Sequence, residues 1–290
     1  MRWWLLLAAA LAGCSHRASQ NTPAPSIHYV TGAPYELGGV WHYPQEQFRY
    51  EATGIAERLP SSRGLTADGE RADTQSMTGA HPTLQLPAIV EVTNLENGRQ
   101  IRIRLNDRGP ANPGRLLGLT ARAADRLGLP EGGAAPVRIE LDSLASQALR
   151  DRLGGGPKGI SAAPLASVTS EDLPPPGQAR GPARVAPRGP DAGAAKPPPD
   201  TMEPLPDTVG IVPVQPYRLW VRAGQFSQLR YAEALKNKIA GVPARVEREA
   251  GARQPGFIVM AGPFASVADA DAGLDQVRRS GVTDPSIVVE

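Results

Sequence analysis

Three short clusters carry the side chains able to move protons: Thr66 to Asp73 (Thr-Ala-Asp-Gly-Glu-Arg-Ala-Asp), Thr78 to His81 (Thr-Gly-Ala-His) and Asn106 to Pro110 (Asn-Asp-Arg-Gly-Pro). The candidates among their acids and base are Glu70, Asp73, His81 and Asp107, and carboxyl and imidazole groups are the usual agents of general acid–base chemistry. Residue types alone leave a second reading open at each place. Asp107 stands just past an alternating strand in a Gly-Pro turn, where a carboxylate commonly serves the turn itself, and Glu70, Asp73 and His81 read equally as a solvated loop. The single cysteine, Cys14, excludes a disulfide within the chain and every zinc pattern built from several thiolates; neither a metal nor a cofactor is expected.

The elements that must position these clusters are short. Ala88 to Leu95 and Gln100 to Leu105 read as strands, the second alternating strictly, joined by the Asn97-Gly98 turn of a hairpin. Thr120 to Leu127 reads as a helix with Thr120 as N-cap and Gly128 as its stop, and Val137 to Leu141 as another strand. Tyr29, Tyr35, Trp41, Tyr43, Phe48 and Tyr50 crowd the start of this region, and no aromatic ring follows until Tyr217, so the core must be built from Val, Ile, Leu and Ala. Short strands with one small helix predict a compact barrel.

Composition supplies the rest of the organisation. At ~150 residues per domain, 290 residues predict about two folded units. Gly 31 and Pro 30 are together well above ordinary usage, and 15 of the prolines lie between Pro157 and Pro216, in a stretch without any aromatic residue before Tyr217. Such a segment cannot bury enough apolar surface to offset its ordering entropy and is expected to be a disordered, locally polyproline-II spacer. The net charge of +2 is spread along the chain rather than gathered in a basic block, which argues against nucleic acid as a partner. Trp3 to Ala12 is an apolar run of ten residues, too short to cross a bilayer and of the length of a signal-peptide core. It ends in Leu11-Ala12-Gly13-Cys14, which resembles a bacterial lipobox, so Cys14 is expected to be acylated and to hold the protein on a membrane; Ser15 after it favours the outer membrane.

Beyond the spacer, Val221-Arg222-Ala223-Gly224-Gln225-Phe226 recurs 38 residues later as Val259-Met260-Ala261-Gly262-Pro263-Phe264, each copy closing a strand and preceding a helical stretch. With strands at Ala244 to Glu249 and Ser286 to Val289 this predicts a βαββαβ, ferredoxin-like unit. The doubled Ala-Gly-x-Phe signature resembles the sporulation-related repeat (SPOR) domain, which binds peptidoglycan. By alternation Trp220 and Arg222 share a face with Ile258 and Met260, and that face is expected to hold glycan.

Gly64 to Leu129 resembles the double-psi β-barrel of the rare lipoprotein A family of septal lytic transglycosylases. The matching stretches are Gly64 to Asp73, with Asp68 where the family has asparagine; Thr78 to His81; Val92 to Arg99; and Asn106 to Pro110. The resemblance implies a mainly β plus α+β chain: signal peptide 1–13, tether 14–26, N-terminal extension and barrel 27–149, spacer 150–216 and SPOR domain 217–290. It implies cleavage of the bond after N-acetylmuramic acid in peptide-free strands, with Asp107 as the acid, Glu70 and Asp73 raising its pKa, and His81 orienting or sharing the proton. It places Thr66, Thr78, Asn106 and Arg108 at the substrate, the protein on the periplasmic face of the outer membrane at the septum, and divisome or amidase proteins among its partners. Two departures favour an alternative, a non-catalytic glycan-binding lipoprotein that tethers the envelope. Aromatic residues usual in the family are missing between Ala56 and Gly64, and Gly118 stands where the family carries an aspartate.

Overall fold

The computed structural model describes residues 24–155, 201–249 and 256–290. Cys14 with its lipobox and the stretch 156–200 of the expected spacer lie outside the described residues. The first unit opens with a small hairpin, β1 (Tyr35–Leu37) and β2 (Val40–His42). It continues through β3 (Glu51–Arg58), β4 (Thr78–Ala80), β5 (Ala88–Asn94), β6 (Arg99–Asp107), β7 (Arg115–Leu119), helix α1 (Ala121–Leu127), β8 (Ala134–Leu141) and helix α2 (Ser143–Arg152). Strands pair in the order β4-β7-β3-β8-β5-β6, and β6 returns to β4, which closes a six-stranded barrel. Its interior is aliphatic: Leu84, Val90, Val92, Ile103, Leu105, Leu117, Val137 and Ile139 are fully buried. The expected hairpin, strand and capped helix are present. Thr120 Oγ1 accepts from the Ala123 amide, and Gly128 ends α1 in the left-handed conformation.

Two parallel pairings, β3 with β7 and β4 with β6, distinguish this barrel from a simple meander. Together they bring the start of β4, the end of β6 and the end of β7 to the same place, where Gly79 pairs with both Leu105 and Leu119. All three chemical clusters of the sequence meet there.

The spacer boundaries move. Helix α2 runs past 150 to Arg152, held by an Asp142 cap and by buried Ser146 exchanging hydrogen bonds with the Ile89 backbone. At the other end β9 (Val209–Ile211) joins β6 as an edge strand. Asp207 pairs with Arg122 and Arg126 of α1, and Leu205 packs on the barrel core. Proline content points to a spacer over residues 201–216, but the chain there has edge-strand backbone, a carboxylate facing two arginines and an apolar anchor.

The second unit has the expected βαββαβ order: β10 (Leu219–Phe226), α3 (Leu229–Lys238), β11 (Ala244–Arg248), β12 (Phe257–Phe264), α4 (Val267–Arg279) and β13 (Ser286–Val289). Its sheet runs β11-β12-β10-β13, antiparallel throughout, with Val221, Ala223, Val259 and Ala261 buried together with Ala232 of α3 and Ala270 and Leu274 of α4. The two units touch. Thr53 of β3 exchanges hydrogen bonds with the Val289 backbone, Arg115 forms a two-pronged ion pair with Asp271 (2.5 and 2.8 Å), and Ile55 is buried among side chains of the second unit's core.

Candidate active site

A cleft opens where β4, β6 and β7 converge. Asp107 and Asn106 line it from β6, Thr78 and Gly79 from β4, Thr66 and Asp73 from the connecting loops, Leu59 and Pro60 from the segment after β3, and Thr120 from the start of α1. Asp107 is held by the backbone on one oxygen only: Oδ1 accepts from the Arg108 amide (2.8 Å) and the Ala67 amide (3.0 Å). Oδ2 has no hydrogen-bond partner among the described residues. Burial raises the Asp107 pKa, against the opposing pull of the two amides and the Arg108 charge, and so favours its protonated form.

Glu70 does not face Asp107 as a free acid. Its Oε1 accepts from Arg104 (2.5 Å) and its Oε2 from the Asn106 amide group (2.8 Å), so its charge is spent on the two β6 side chains that flank Leu105. Asp73 is exposed on the cleft wall, with Oδ1 accepting from the Gln75 amide. Thr66 donates to Asp68 Oδ1 (2.7 Å) and the Glu70 carbonyl (3.0 Å), and Thr78 shares a hydroxyl contact with Ser76 (3.0 Å).

His81 and Arg108 point elsewhere. His81 Nδ1 accepts from the Thr83 and Leu84 amides (3.2 and 3.1 Å), which leaves Nε2 to carry the hydrogen and donate to the Tyr50 hydroxyl (3.2 Å). Burial, with Arg108 and His42 nearby, lowers its pKa to about 3, so the ring is neutral and locked. No side-chain hydrogen bond joins it to Asp107; the link is from the His81 amide to the Asp107 carbonyl (3.1 Å). It lines a second cleft, between the two units, with Tyr50, His42 and Arg222. Arg108 donates to the Leu84 and Thr31 carbonyls (both 2.5 Å) and clamps the loops behind the strand.

Gly118 lies in β7, paired with Ala80 of β4 and Glu57 of β3, and the space its side chain would take is filled: an added Cβ would stand 2.5 Å from Leu59 Cδ2. Leu59 thus occupies the cleft wall beside a position that carries no acid. Tyr35 and Trp41 lie on the β1–β2 hairpin and Tyr43 directly after it, and Trp41 and Tyr43 are 56% and 60% exposed. The hairpin is pinned to the loop after Asp107. Gly38 approaches the Ala111 carbonyl so closely that a Cβ would sit 2.1 Å from it, and the Tyr35 hydroxyl donates to the Pro82 carbonyl (2.9 Å).

On the second unit, Arg222 stands opposite Met260, and Gln225 opposite Ile258, on the sheet face away from the helices. Trp220 and Met260 are buried there, Trp220 beneath the Arg245 guanidinium 3.7 Å from its ring centre, whereas Arg222 is exposed. Among the described residues no group of His, Cys, Asp and Glu is arranged to hold a metal ion.

Residues 51–139 match the family model of a lytic transglycolase domain of double-psi type, and residues 215–288 match the SPOR domain. The endolytic peptidoglycan transglycosylase RlpA of Pseudomonas aeruginosa PAO1 is 31% identical over 291 residues, spanning 94% of this chain and 81% of its own. The chain belongs to the RlpA family. The Vibrio cholerae transglycosylase of that name is 35% identical over 163 residues, 48% of this chain and 62% of its own. The crystal structure of the P. aeruginosa RlpA SPOR domain is 25% identical, covers 24% of this chain and 96% of that one, and has a TM-score of 0.23. The sequence clusters place Thr66, Thr78, Asn106, Asp73 and Asp107 in what is one cleft. They give no sign of Leu59, whose significance depends on a contact with Gly118 across the barrel that no local pattern encodes.

Proposed function

We propose that the barrel is an endolytic lytic transglycosylase that cuts the glycan of peptidoglycan after N-acetylmuramic acid. The observation that carries the reading is Asp107, with one oxygen fixed by two amides and the other left to a cleft in surroundings that favour its proton. Its Oδ2–H gives the proton to the glycosidic oxygen as the C1–O bond breaks. The muramoyl 6-hydroxyl then attacks C1, and its proton returns to Asp107, which yields a 1,6-anhydro end and regenerates the acid without water. Glu70 holds Asn106 and Arg104 in place, Asp73 and the threonines Thr66 and Thr78 offer polar contacts, and Trp41 and Tyr43 offer faces on which sugar rings can stack.

The SPOR unit binds peptide-free strands through the face that carries Arg222, while Cys14 anchors the chain to the outer membrane and the family implies a septal, periplasmic station. Leu59 filling the space beside Gly118, in a cleft lined by no aromatic ring among the described residues, supports a second reading, a glycan-binding lipoprotein that does not cut. Incubation of the purified protein with amidase-treated sacculi, followed by mass spectrometry, separates them. Soluble fragments with anhydro-muramoyl ends support the enzyme, and binding without release supports the tether.

A further inference from the structure

The second cleft, between the two units, has a volume of about 190 Å³ and is walled by Leu37 and Val40 of the β1–β2 hairpin, by the loop 110–114 that follows Asp107 and by the start of β13. Several of its polar groups are spent: Thr53 on the Val289 backbone, Arg115 on Asp271 and Glu57, and the Asn112 amide group on Glu57. Two donors are not. His81 Nε2 carries a hydrogen and gives it to the Tyr50 oxygen, so that nitrogen has no lone pair with which to accept, and the phenolic hydrogen of Tyr50 has no acceptor among the described residues. Arg222 reaches the same cleft from β10 and makes no hydrogen bond or ion pair among the described residues. Its charge acts on the phenol, yet burial dominates and pushes Tyr50 up to about 12, so the hydroxyl keeps its hydrogen. The only carboxylate lining the cleft among the described residues, Asp284, is exposed and pairs with neither donor.

We propose that Tyr50 of the barrel and Arg222 of the SPOR unit together bind a carboxylate, and that this carboxylate is the lactyl group of a muramoyl residue freed of its peptide. The assignment rests on the glycan reading given above. Donor chemistry sets the class of ligand. A hydroxyl that accepts one hydrogen bond is polarised toward donating another, and a guanidinium can only donate, so the pair fits an anion with acceptor oxygens. Removing the stem peptide from muramic acid turns a neutral lactyl amide into a carboxylate on a short branched carbon chain, whose methyl suits Leu37 and Val40 and whose charge suits Arg222. Size agrees. The cleft is smaller than the ~300–1,000 Å³ that encloses a whole small ligand, and so suits one side group of a strand lying across the SPOR face. The site is complete only when the units are docked, since each supplies one donor, and the junction thereby adds a selection for peptide-free strands to whatever each unit binds.

Binding is measured with the full chain as Asp107→Asn, which keeps the ligand whole, on a soluble tetrasaccharide of alternating N-acetylglucosamine and N-acetylmuramic acid with free lactyl carboxyls, and on the same sugar with those carboxyls converted to methylamides. The acid should bind roughly 10-fold or more tighter than the amide, and Tyr50→Phe, which keeps the ring and removes the donor, should weaken the acid by roughly 10-fold while leaving the amide within about twofold. Arg222→Gln should erase most of the same preference, and the two losses should not add, because both donors hold one group. Equal binding of acid and amide, or a preference that survives Tyr50→Phe, overturns the proposal and leaves the glycan reading standing; binding of neither sugar overturns both. Peptide stems also carry carboxylates, so a free stem peptide that displaces the acid sugar from the parent but not from the Tyr50→Phe protein would assign the pair to stems and overturn the muramoyl assignment. Should Tyr50→Phe fail to fold, 13C at the tyrosine Cζ atoms decides without it: the Tyr50 signal should shift with the acid and not with the amide, and a signal that ignores the acid contradicts the proposal.

Discussion

At the scale of single residues, three titratable side chains of the sequence clusters behave differently because of what surrounds them. Asp107 lines a cleft with one oxygen that has no partner among the described residues, so Asp107→Asn is expected to lower turnover by roughly 10²–10⁴-fold while leaving the thermal midpoint nearly unchanged. Since the acid must be protonated to act and its pKa is raised, activity should be highest on the acidic side and decline as pH rises. Asp68 has a different signature in stability. A carboxyl whose pKa is higher folded than unfolded favours the folded state below about pH 4 and loses that contribution as pH rises through 6. Chemical denaturation should therefore show wild-type stability falling across this window by about 1–3 kcal/mol relative to Asp68→Asn, whose profile lacks this component. His81, which the family resemblance implies to orient or share the proton of Asp107, braces the Thr83 and Leu84 amides with its Nδ1. His81→Ala leaves the Thr83 and Leu84 amides without their acceptor and should cost about 2–4 kcal/mol in stability, seen as a lowered midpoint.

At the scale of elements, the sequence displays most clearly what depends on near neighbours. The Asn97-Gly98 hairpin, the Thr120 cap of α1 with its Gly128 stop and the doubled strand–helix repeat all depend on local periodicity and capping, and all are present. What depends on distant partners is hidden. β3, β4 and β7 are joined by pairings between remote segments, α2 is anchored by Ser146 on Ile89, and β9 exists because β6 offers it an edge. Gly118 shows the same limit. Its sequence context suggests that an acid could simply be restored there, yet its backbone requires no special conformation and the obstacle is Leu59. Gly118→Asp alone should lower stability by about 1–3 kcal/mol through overpacking and a crowded carboxylate. Combining it with Leu59→Ala should recover much of that loss, and a double variant as unstable as the single one would show that Leu59 is not the obstacle.

At the scale of the whole molecule, the barrel and the SPOR unit meet along β3 and β13, with Ile55 buried among the second unit's side chains and Arg115 paired to Asp271. Asp271→Ala should leave each unit folded but weaken their association, detected as calorimetric unfolding that separates toward two transitions. Glycan binding by the SPOR face is tested cleanly at Arg222, which is exposed, and not at Trp220, whose removal would empty a buried site under Arg245. Arg222→Ala should weaken retention on denuded glycan with no change in folding. The catalytic role of Asp107 is decided by the product of the reaction. Denuded sacculi treated with wild-type protein should release fragments with 1,6-anhydro-muramoyl ends, and Asp107→Asn protein, folded to the same midpoint, should release almost none. Equal release by the two proteins, or none by the wild type, would be incompatible with a barrel that cuts through Asp107.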